Sequence, residues 1–337
     1  MLLALLAADL LLHYRAERSA GLNRYGYRGP VVGRKQPGEV RVVILGGSTV
    51  FGYGVAWDES ISVYLEARLR ERLQRPVTVV NLGFNNEGAH AFVPNLEDFE
   101  YLDYDLIVLY EGYNDLVGDE SVNRSVYRRD SAVYRWTGYY PILPLYLDEK
   151  AKMVRYGSDL NAAYDDARRK EHGQAVVFRA NLAQRTSAAA IEAVASMTKA
   201  LDGQFANRAD IPAPATRENE STLGCTFPYV TYCESVAAAV RFALERGKGV
   251  VVGSQPRSPG EKTVERHARQ QEMLARMLAR HFGGDRRVAW ADFSQLVDLH
   301  SVDVTFDGMH LKPEANATVA AAFVEPVLSA AAAAGIQ

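Results

Sequence analysis

Short apolar runs that lead into glycine alternate with helical patterns in the first part of the chain. Residues 41–45 (RVVIL) are followed by two glycines, and the runs at 76–81 and 106–110 each reach a glycine within two residues. Such runs are typical of buried parallel strands that enter tight turns. Apolar residues at helical spacing predict one helix over 58–73 and another near 89–102. This alternation predicts a parallel sheet with helices on both faces.

The alternation stops after the third of these strands. Residues 118–231 instead contain an aromatic-rich part at 127–146, two helical patterns at about 149–169 and 176–201, and a proline-containing loop at 211–216. We interpret residues 118–231 as a mostly helical insertion that forms a lid or one wall of a cleft. Its aromatic side chains are expected to form the insertion's own core, with a wall for a sugar or an acyl chain as the alternative.

The alternation returns toward the C-terminus. Patterns at about 234–246 and 261–282 predict helices, runs at 249–253 and 287–291 predict strands, and Pro313 suits the first turn of a closing helix. We therefore predict an α/β fold, a doubly wound three-layer α/β/α sandwich of about five parallel strands. The predicted parts are an N-terminal apolar helix and lead-in at 1–30, the α/β domain at 31–117 plus 232–337, and the insertion at 118–231.

Composition and charge describe an ordinary folded chain. Of 337 residues, 48% are hydrophobic and 23% are charged, and 38 basic against 41 acidic side chains give a formal net charge of −3. These fractions are typical of globular proteins. Because a basic excess is needed to neutralise a phosphate backbone, we expect no nucleic-acid partner.

Two features concern the location of the protein. Residues 1–12 form an apolar run that contains Asp9, whereas a bilayer span needs about twenty apolar residues. The run is either an apolar helix packed on the domain or the end of a membrane anchor that begins outside this chain. The second interpretation places the protein outside the cytoplasm and at a membrane. Cys225 and Cys233 either form a small disulfide in an oxidising compartment or remain free thiols.

Four loops carry residue types that are used in catalysis. Three directly follow predicted strands, namely 46–52 (GGSTVFG), 81–88 (NLGFNNEG) and 111–115 (EGYND). Because the carboxyl ends of parallel strands meet at one edge of a sheet, we expect these three loops to be neighbours. The fourth loop places Asp307 three residues before His310.

Ser48, His310 and Asp307 form a candidate catalytic triad. A serine hydroxyl becomes nucleophilic when an imidazole accepts its proton, and a carboxylate fixes the tautomer of that imidazole. The oxyanion that develops on the substrate needs hydrogen-bond donors that are already in place. The candidate donors are the Ser48 N–H, a backbone N–H at Asn86 or Gly88, and the Asn114 side-chain amide.

In this order the four loops resemble the sequence blocks of the SGNH hydrolases, also called GDSL-type esterases and lipases. That family carries a Gly-Asp-Ser block, a glycine block, a Gly-x-Asn-Asp block and an Asp-x-x-His block. The resemblance covers residues 40–116 and 247–325, and residues 23–30 look like the lead-in of bacterial, often membrane-anchored, members. Gly47 stands where the family usually has aspartate, and Asn86 aligns with the glycine that supplies a backbone donor.

The resemblance implies an esterase that uses an acyl-Ser48 intermediate and needs neither metal nor organic cofactor. It makes Ser48 the nucleophile and first oxyanion donor, His310 the general base, Asp307 its orienting partner and Asn114 the side-chain donor. We expect an acyl or acetyl ester as substrate, in a small molecule or on a carbohydrate. The alternatives are an O-acyltransferase that acetylates a cell-surface polysaccharide and an inactive glycan-binding or assembly protein.

Other kinds of site match these residues less well. The first loop lacks the Gly-Lys-Ser/Thr end of a phosphate-binding P-loop, and Trp57 stands where a dinucleotide fingerprint needs glycine. The seven histidines form no close ligand pair, so we predict no metal site. We expect His267 and His281 on the solvated face of a helix. His300, paired with Asp298 or Asp303, is the alternative general base.

Overall fold

Five parallel strands form the central sheet of the protein. The computed structural model describes residues 2–15, 21–116, 118, 124–158, 162–163, 166, 175, 178–203, 221–257 and 259–336. The strands are β1 (Val40–Leu45), β2 (Val77–Asn81), β3 (Leu106–Leu109), β4 (Gly249–Gly253) and β5 (Val288–Ala291), in the spatial order β2-β1-β3-β4-β5. One row of register partners crosses the sheet through Asn81, Ile44, Val108, Val251 and Ala289. The order reverses beside β1, which confirms the predicted doubly wound sheet.

Helices cover both faces of this sheet. They are α1 (Leu2–Arg15), α2 (Ser48–Phe51), α3 (Ile61–Leu73), α4 (Phe92–Asp98), α5 (Tyr127–Asp130), α6 (Ala132–Thr137), α7 (Leu143–Arg155), α8 (Leu182–Gly203), α9 (Val230–Glu245), α10 (Glu261–Phe282) and α11 (Pro313–Ala333). Successive side chains of a strand point to opposite faces, and Val42 packs with α3 and α11 while Val43 packs with α4, α9 and α10. Burial on both faces explains why the strands are continuous apolar runs.

The predicted element bounds hold best where the sheet dictates them. Strand β4 and helix α10 begin and end where the sequence pattern places them. The predicted helix over 58–73 begins only at Ile61, because Trp57–Glu59 form a separate 3₁₀ turn and Ser60 has an extended conformation. The helix predicted near 149–169 is matched in part: α7 starts six residues earlier, with proline in its first turn, and ends at Arg155, and much of 159–169 lies outside the described residues.

Helices α5 to α8 lie between β3 and β4 along the chain. Helices α7 and α8 pack against each other, and α1 packs on α7. The buried Asp9 carboxylate fixes that contact by accepting hydrogen bonds from the Tyr139 hydroxyl and, at 2.7 Å, from the Leu143 N–H. Part of the predicted insertion, including the loop at 211–216, lies outside the described residues.

Two apolar helices and a disulfide concern the location of the protein. Among the described residues, α11 is the one helix that is long and apolar enough to cross a membrane, and half of its most apolar stretch is buried in the protein. Its contacts with α3, β4 and β5 are those of a core helix. Within α1, residues Leu5–Tyr14 form a shorter apolar helix. Of the two possibilities left open for the cysteines, the structure has the disulfide between Cys225 and Cys233.

Candidate active site

Ser48 is the first residue of α2, which follows β1 after two glycines. A β-carbon at Gly46 would overlap the Tyr110 carbonyl oxygen, so only glycine permits the close approach of β1 and the loop after β3. The first N–H groups of a helix have no acceptor within that helix. The Ser48 hydroxyl and the N–H of the same residue are therefore both presented at the carboxyl edge of the sheet.

The structure brings the three predicted triad residues together. The Ser48 Oγ lies 2.8 Å from His310 Nε2, and His310 Nδ1 lies 2.5 Å from Asp307 Oδ2. The other Asp307 oxygen accepts hydrogen bonds from the backbone N–H groups of Met309 and His310, at 3.0 and 2.8 Å. Because the Asp307 carboxylate accepts from Nδ1, the Nε2 atom is left to accept a proton from the serine.

The loop that carries Asp307 and His310 is closed by its own backbone. An antiparallel bridge joins Thr305 to Leu311, and the Phe306 N–H donates to the His310 carbonyl oxygen at 2.9 Å. Burial raises the pKa of Asp307, but hydrogen bonds from His310 and from the neighbouring backbone outweigh it and hold the pKa below its ordinary value. The carboxyl is thus ionised when it orients the imidazole.

The Tyr53 side chain packs on the imidazole, and a lysine from α7 holds it there. The Tyr53 ring lies 4.8 Å from the His310 ring, centroid to centroid. The exposed Lys152 ammonium donates to the Tyr53 hydroxyl at 3.0 Å. Helix α7, which belongs to the stretch interpreted as an insertion, thus contacts the aromatic residue beside the imidazole.

The Asn114 amide lies against the residue that precedes the nucleophile. A β-carbon at Gly47 would overlap Asn114 Nδ2 and lie 3.0 Å from the Glu87 carbonyl oxygen. The Asn114 Nδ2 donates to that same oxygen at 2.9 Å. This bond orients the Asn114 amide, which also hydrogen-bonds to the buried Glu111 carboxyl and opposes the rise in the pKa of that group.

The two predicted backbone donors lie on either side of Glu87. Asn86 has a φ of +62°, a left-handed conformation that asparagine tolerates better than most residues. This explains how asparagine can stand at a position that the resemblance assigns to glycine. Its side-chain amide donates to the Tyr127 hydroxyl at 3.0 Å. Gly88 packs on the Asp115 carboxylate, 2.8 Å from the point where a β-carbon would lie.

A buried carboxylate, Glu111, lies beneath these groups. It accepts hydrogen bonds from the backbone N–H groups of Gly47, Gly112 and Asn114, the last two at 2.9 and 3.0 Å. Burial raises the pKa of Glu111 to about 7, and the hydrogen bonds from those N–H groups act against the rise. Glu111 belongs to the third loop of the sequence, but no role was predicted for it.

A buried ion pair connects the loop at 81–88 to α5. Arg128 lies 3.7 Å from Glu87, and both side chains are buried. Glu87 also accepts hydrogen bonds from the Asn95 amide at 3.0 Å and from the Tyr127 N–H at 2.8 Å. Burial raises the pKa of Glu87, and the charge of Arg128 opposes that rise. The sequence offered no signal for this pair, since its members are more than forty residues apart.

A fourth strand-end loop also contributes to the site. Gln255 follows β4 and is fully buried. Its side-chain oxygen, Oε1, accepts a hydrogen bond from the Tyr113 N–H at 2.8 Å. Its amide donates to the Thr49 hydroxyl, also at 2.8 Å. Gln255 thereby joins the loops after β1 and β3 from below. Gln255 could have been found in the sequence, because it too follows the carboxyl end of a parallel strand.

The remaining histidines lie elsewhere. The expectation of a solvated His267 is wrong, because His267 is buried against the Tyr113 ring at 5.0 Å and burial lowers its pKa to about 4. His300 pairs with Asp298 at 2.9 Å on the surface, where its side chain is 71% exposed. The described residues contain no group of three His, Cys, Asp or Glu side chains that could hold a metal ion.

The chain is similar to one described family and to several solved structures. The model of the GDSL-like Lipase/Acylhydrolase family matches residues 44–215, which is slightly more than half of the chain. A lipolytic protein of the G-D-S-L family from Desulfitobacterium hafniense is 12% identical, with 85% of this chain and 99% of that chain covered and a TM-score of 0.43. A GDSL-like lipase from Bacteroides thetaiotaomicron is 13% identical, with 89% and 93% covered and a TM-score of 0.43. A catalytic mutant of an acetylxylan esterase from Geobacillus stearothermophilus is 11% identical, with 88% and 95% covered and a TM-score of 0.42. No curated protein matches the chain.

Proposed function

Because the chain belongs to the GDSL-like lipase/acylhydrolase family, we propose that it is a serine esterase that cleaves carboxylic esters through an acyl-Ser48 intermediate. Membership in this family makes the chain an acylhydrolase. The observation that supports Ser48 as the nucleophile is the continuous hydrogen-bonded row from Asp307 through His310 to the Ser48 hydroxyl. Such a row is what an alcohol needs to become nucleophilic at neutral pH.

The first half of the reaction transfers the acyl group to the protein. The Ser48 Oγ attacks the carbonyl carbon of the ester while its proton passes to His310 Nε2, and the carbonyl electron pair moves onto oxygen. Asp307 stabilises the imidazolium that results. When the tetrahedral intermediate collapses, the C–O bond to the alcohol breaks and His310 gives its proton to the leaving oxygen. The products are the free alcohol and acyl-Ser48.

The second half repeats these steps with water. His310 accepts a proton from a water molecule as the water oxygen attacks the acyl carbon. Collapse of the second tetrahedral intermediate breaks the bond to Ser48 Oγ, which takes the proton back from His310. The carboxylic acid leaves and the free serine is restored.

Three donors stabilise the oxyanion of both intermediates in this proposal. They are the Ser48 N–H, the Asn114 side-chain amide, and the N–H of Asn86 or Gly88. Donors that are already in place before reaction need no reorganisation when charge develops, and this is usually a large part of catalysis. The bond from Asn114 to the Glu87 carbonyl oxygen supports the assignment, because it fixes the amide before a substrate arrives.

We assign the substrate to the acyl or acetyl esters of small molecules or carbohydrates, and the protein to a membrane surface outside the cytoplasm. The disulfide between Cys225 and Cys233 supports an oxidising compartment. Helix α1 exposes Leu6, Leu10 and Leu11, a face suited to lipid contact. Co-sedimentation with phospholipid vesicles tests the membrane assignment, and equal binding by wild type and L6Q/L10Q/L11Q would contradict it.

The proposed activity is tested with p-nitrophenyl acetate. Wild type should release p-nitrophenol, Ser48→Ala should not, and Ser187→Ala, which changes an exposed serine of α8, should equal wild type. A fluorophosphonate should form an adduct on Ser48 that mass spectrometry locates. Equal rates for wild type and Ser48→Ala would contradict the proposal. In a reaction that contains a sugar acceptor, acylated sugar in place of free acid would show a transferase instead.

A further inference from the structure

We propose that Glu111 is the positioning residue of this site, and that its carboxylate holds the residue before the nucleophile and the oxyanion amide in one fixed arrangement. The inference rests on the proposed serine esterase function. It concerns a side chain that touches neither the substrate nor the triad.

The Glu111 carboxylate joins two loops that leave neighbouring strands. One oxygen accepts from the Gly47 N–H, in the loop after β1. The other accepts from the Gly112 and Asn114 N–H groups, in the loop after β3. The carboxylate is buried, with 3% of the residue exposed, so water does not compete for these donors. One side chain thus sets the distance between the strand end that carries Ser48 and the turn that carries Asn114.

The absence of a side chain at Gly47 leaves the space that the Glu111 carboxylate occupies. A β-carbon at position 47 would lie 2.5 Å from Glu111 Oε2 and would overlap the Asn114 amide. Any side chain at position 47 would therefore displace both the carboxylate and the oxyanion donor. The aspartate that the family usually carries at this position would not fit here. The carboxylate beside the nucleophile loop comes instead from the end of β3.

Only an acceptor with two oxygens fits the three N–H groups. A glutamine would have to direct its own NH₂ group at one of them, so two donors would face each other in a buried place. Gly47 directly precedes Ser48, and the Asn114 N–H belongs to the residue whose side chain supplies the oxyanion donor. Loss of either anchor would shift a group that must match the transition state closely.

The test compares Glu111→Gln and Glu111→Asp with a matched control, Glu66→Gln. The Glu66 carboxylate also accepts a backbone N–H, that of Val79 at 2.8 Å, but it belongs to α3, outside the loops that form the site. Active sites are first counted by fluorophosphonate titration, so that kcat refers only to folded, competent molecules. The rate of fluorophosphonate labelling, KM for p-nitrophenyl acetate and the melting temperature are measured in parallel.

We expect E111Q to lower kcat per titrated site by about ten- to a hundredfold, which is about 1.4–2.7 kcal/mol in the barrier, with KM within twofold of wild type. The labelling rate should fall in the same proportion. E111D keeps an acceptor-only group and should recover part of the loss, and E66Q should match wild type. If E111Q does not fold, E111D decides the question by the same measures.

Two negative results are distinguishable. Variants that melt earlier but keep wild-type kcat per titrated site would overturn the inference alone, because Glu111 would then serve only stability. A wild type that neither hydrolyses the ester nor reacts with the fluorophosphonate would overturn the proposed function and this inference with it.

Discussion

Replacement of Arg128 by methionine tests whether the buried Arg128–Glu87 pair holds α5 on the loop at 81–88. The Arg128 side chain is completely buried. Its guanidinium donates to the carbonyl oxygens of Gly26, Leu82 and Gly83 at 2.5, 3.0 and 3.2 Å, and to Asn95 Oδ1 at 3.1 Å. Methionine keeps most of the apolar stem but removes the guanidinium, which lies 4.9 Å from the Phe84 ring centroid and 5.3 Å from that of Phe99. The charge and every one of these donors are lost with it.

The expected loss of unfolding free energy follows from the buried Glu87 carboxyl, which R128M leaves without its partner. Removal of one partner from a buried charge pair costs about 3–5 kcal/mol, because the other charge stays buried without compensation. The total free energy of unfolding of a typical domain is about 5–15 kcal/mol, so R128M should lose a large fraction of it. Urea unfolding, followed by tryptophan fluorescence, measures the difference. R128K, which keeps a charge but not the fork of donors, is the matched comparison.

The loss of unfolding free energy in R128M should depend on pH, and the Glu87 carboxyl determines at which pH the loss is larger. Burial raises the pKa of Glu87 above its ordinary value of 4.5, and Arg128 works against the rise. A raised folded-state pKa contributes stability below the unfolded pKa and loses it as pH rises through the folded pKa. Without Arg128 the pKa rises further, so R128M should be more strongly destabilised at pH 8 than at pH 5. E87Q/R128M should recover part of the pH 8 loss.

Two results would refute this reasoning. A loss below about 1 kcal/mol would place Arg128 among ordinary surface substitutions. A loss of the same size at both pH values, unchanged by E87Q, would show that Glu87 carries no uncompensated charge in R128M.

The remaining predictions concern the triad, the oxyanion site and the disulfide. Asn114→Ala should lower kcat by about 10²–10³, the usual loss for one oxyanion donor, and a raised KM at unchanged kcat would contradict that role. His310→Ala should lower kcat by about 10⁴ or more, while His300→Ala should stay within twofold of wild type in the same assay; the reverse would make His300 the base. Cys225→Ala/Cys233→Ala should lose about 2–3 kcal/mol of unfolding free energy in urea, because the disulfide closes a loop across a sequence separation of 8; coincident unfolding curves would contradict this.

The sheet and the triad could be predicted because both depend on patterns that are local in sequence. Strands that are buried on both faces must be apolar at every position, and β1 and β4 show this in their residues. Parallel strands then bring their following loops to one edge, which is enough to place Ser48 near Asn114. His310 was found through its spacing from Asp307 and the family resemblance, since both residues lie well beyond the end of β5 rather than directly after a strand.

The hydrophobic pattern of the sequence did not reveal which polar side chains are buried. In α10, His267, Gln270 and Gln271 occupy the same buried stripe as Leu274, but periodicity analysis counts polar residues as exposed. Gln270 uses this position to donate to the Gly112 carbonyl oxygen at 3.0 Å. The inward direction of Glu111 was equally hidden, because tertiary contacts rather than periodicity orient a side chain in a loop.

The crossover from β3 to β4 is the longest excursion of the chain, yet these two strands lie side by side in the sheet. The entropic cost of closing a loop grows only with the logarithm of its length. Additions to this crossover therefore leave the pairing of the strands, and the distance between Ser48 and Asn114, almost unaffected. Since α7 in this crossover also reaches Tyr53 beside the imidazole, changes in its sequence should alter the surroundings of the imidazole without moving the strands that carry Ser48 and Asn114.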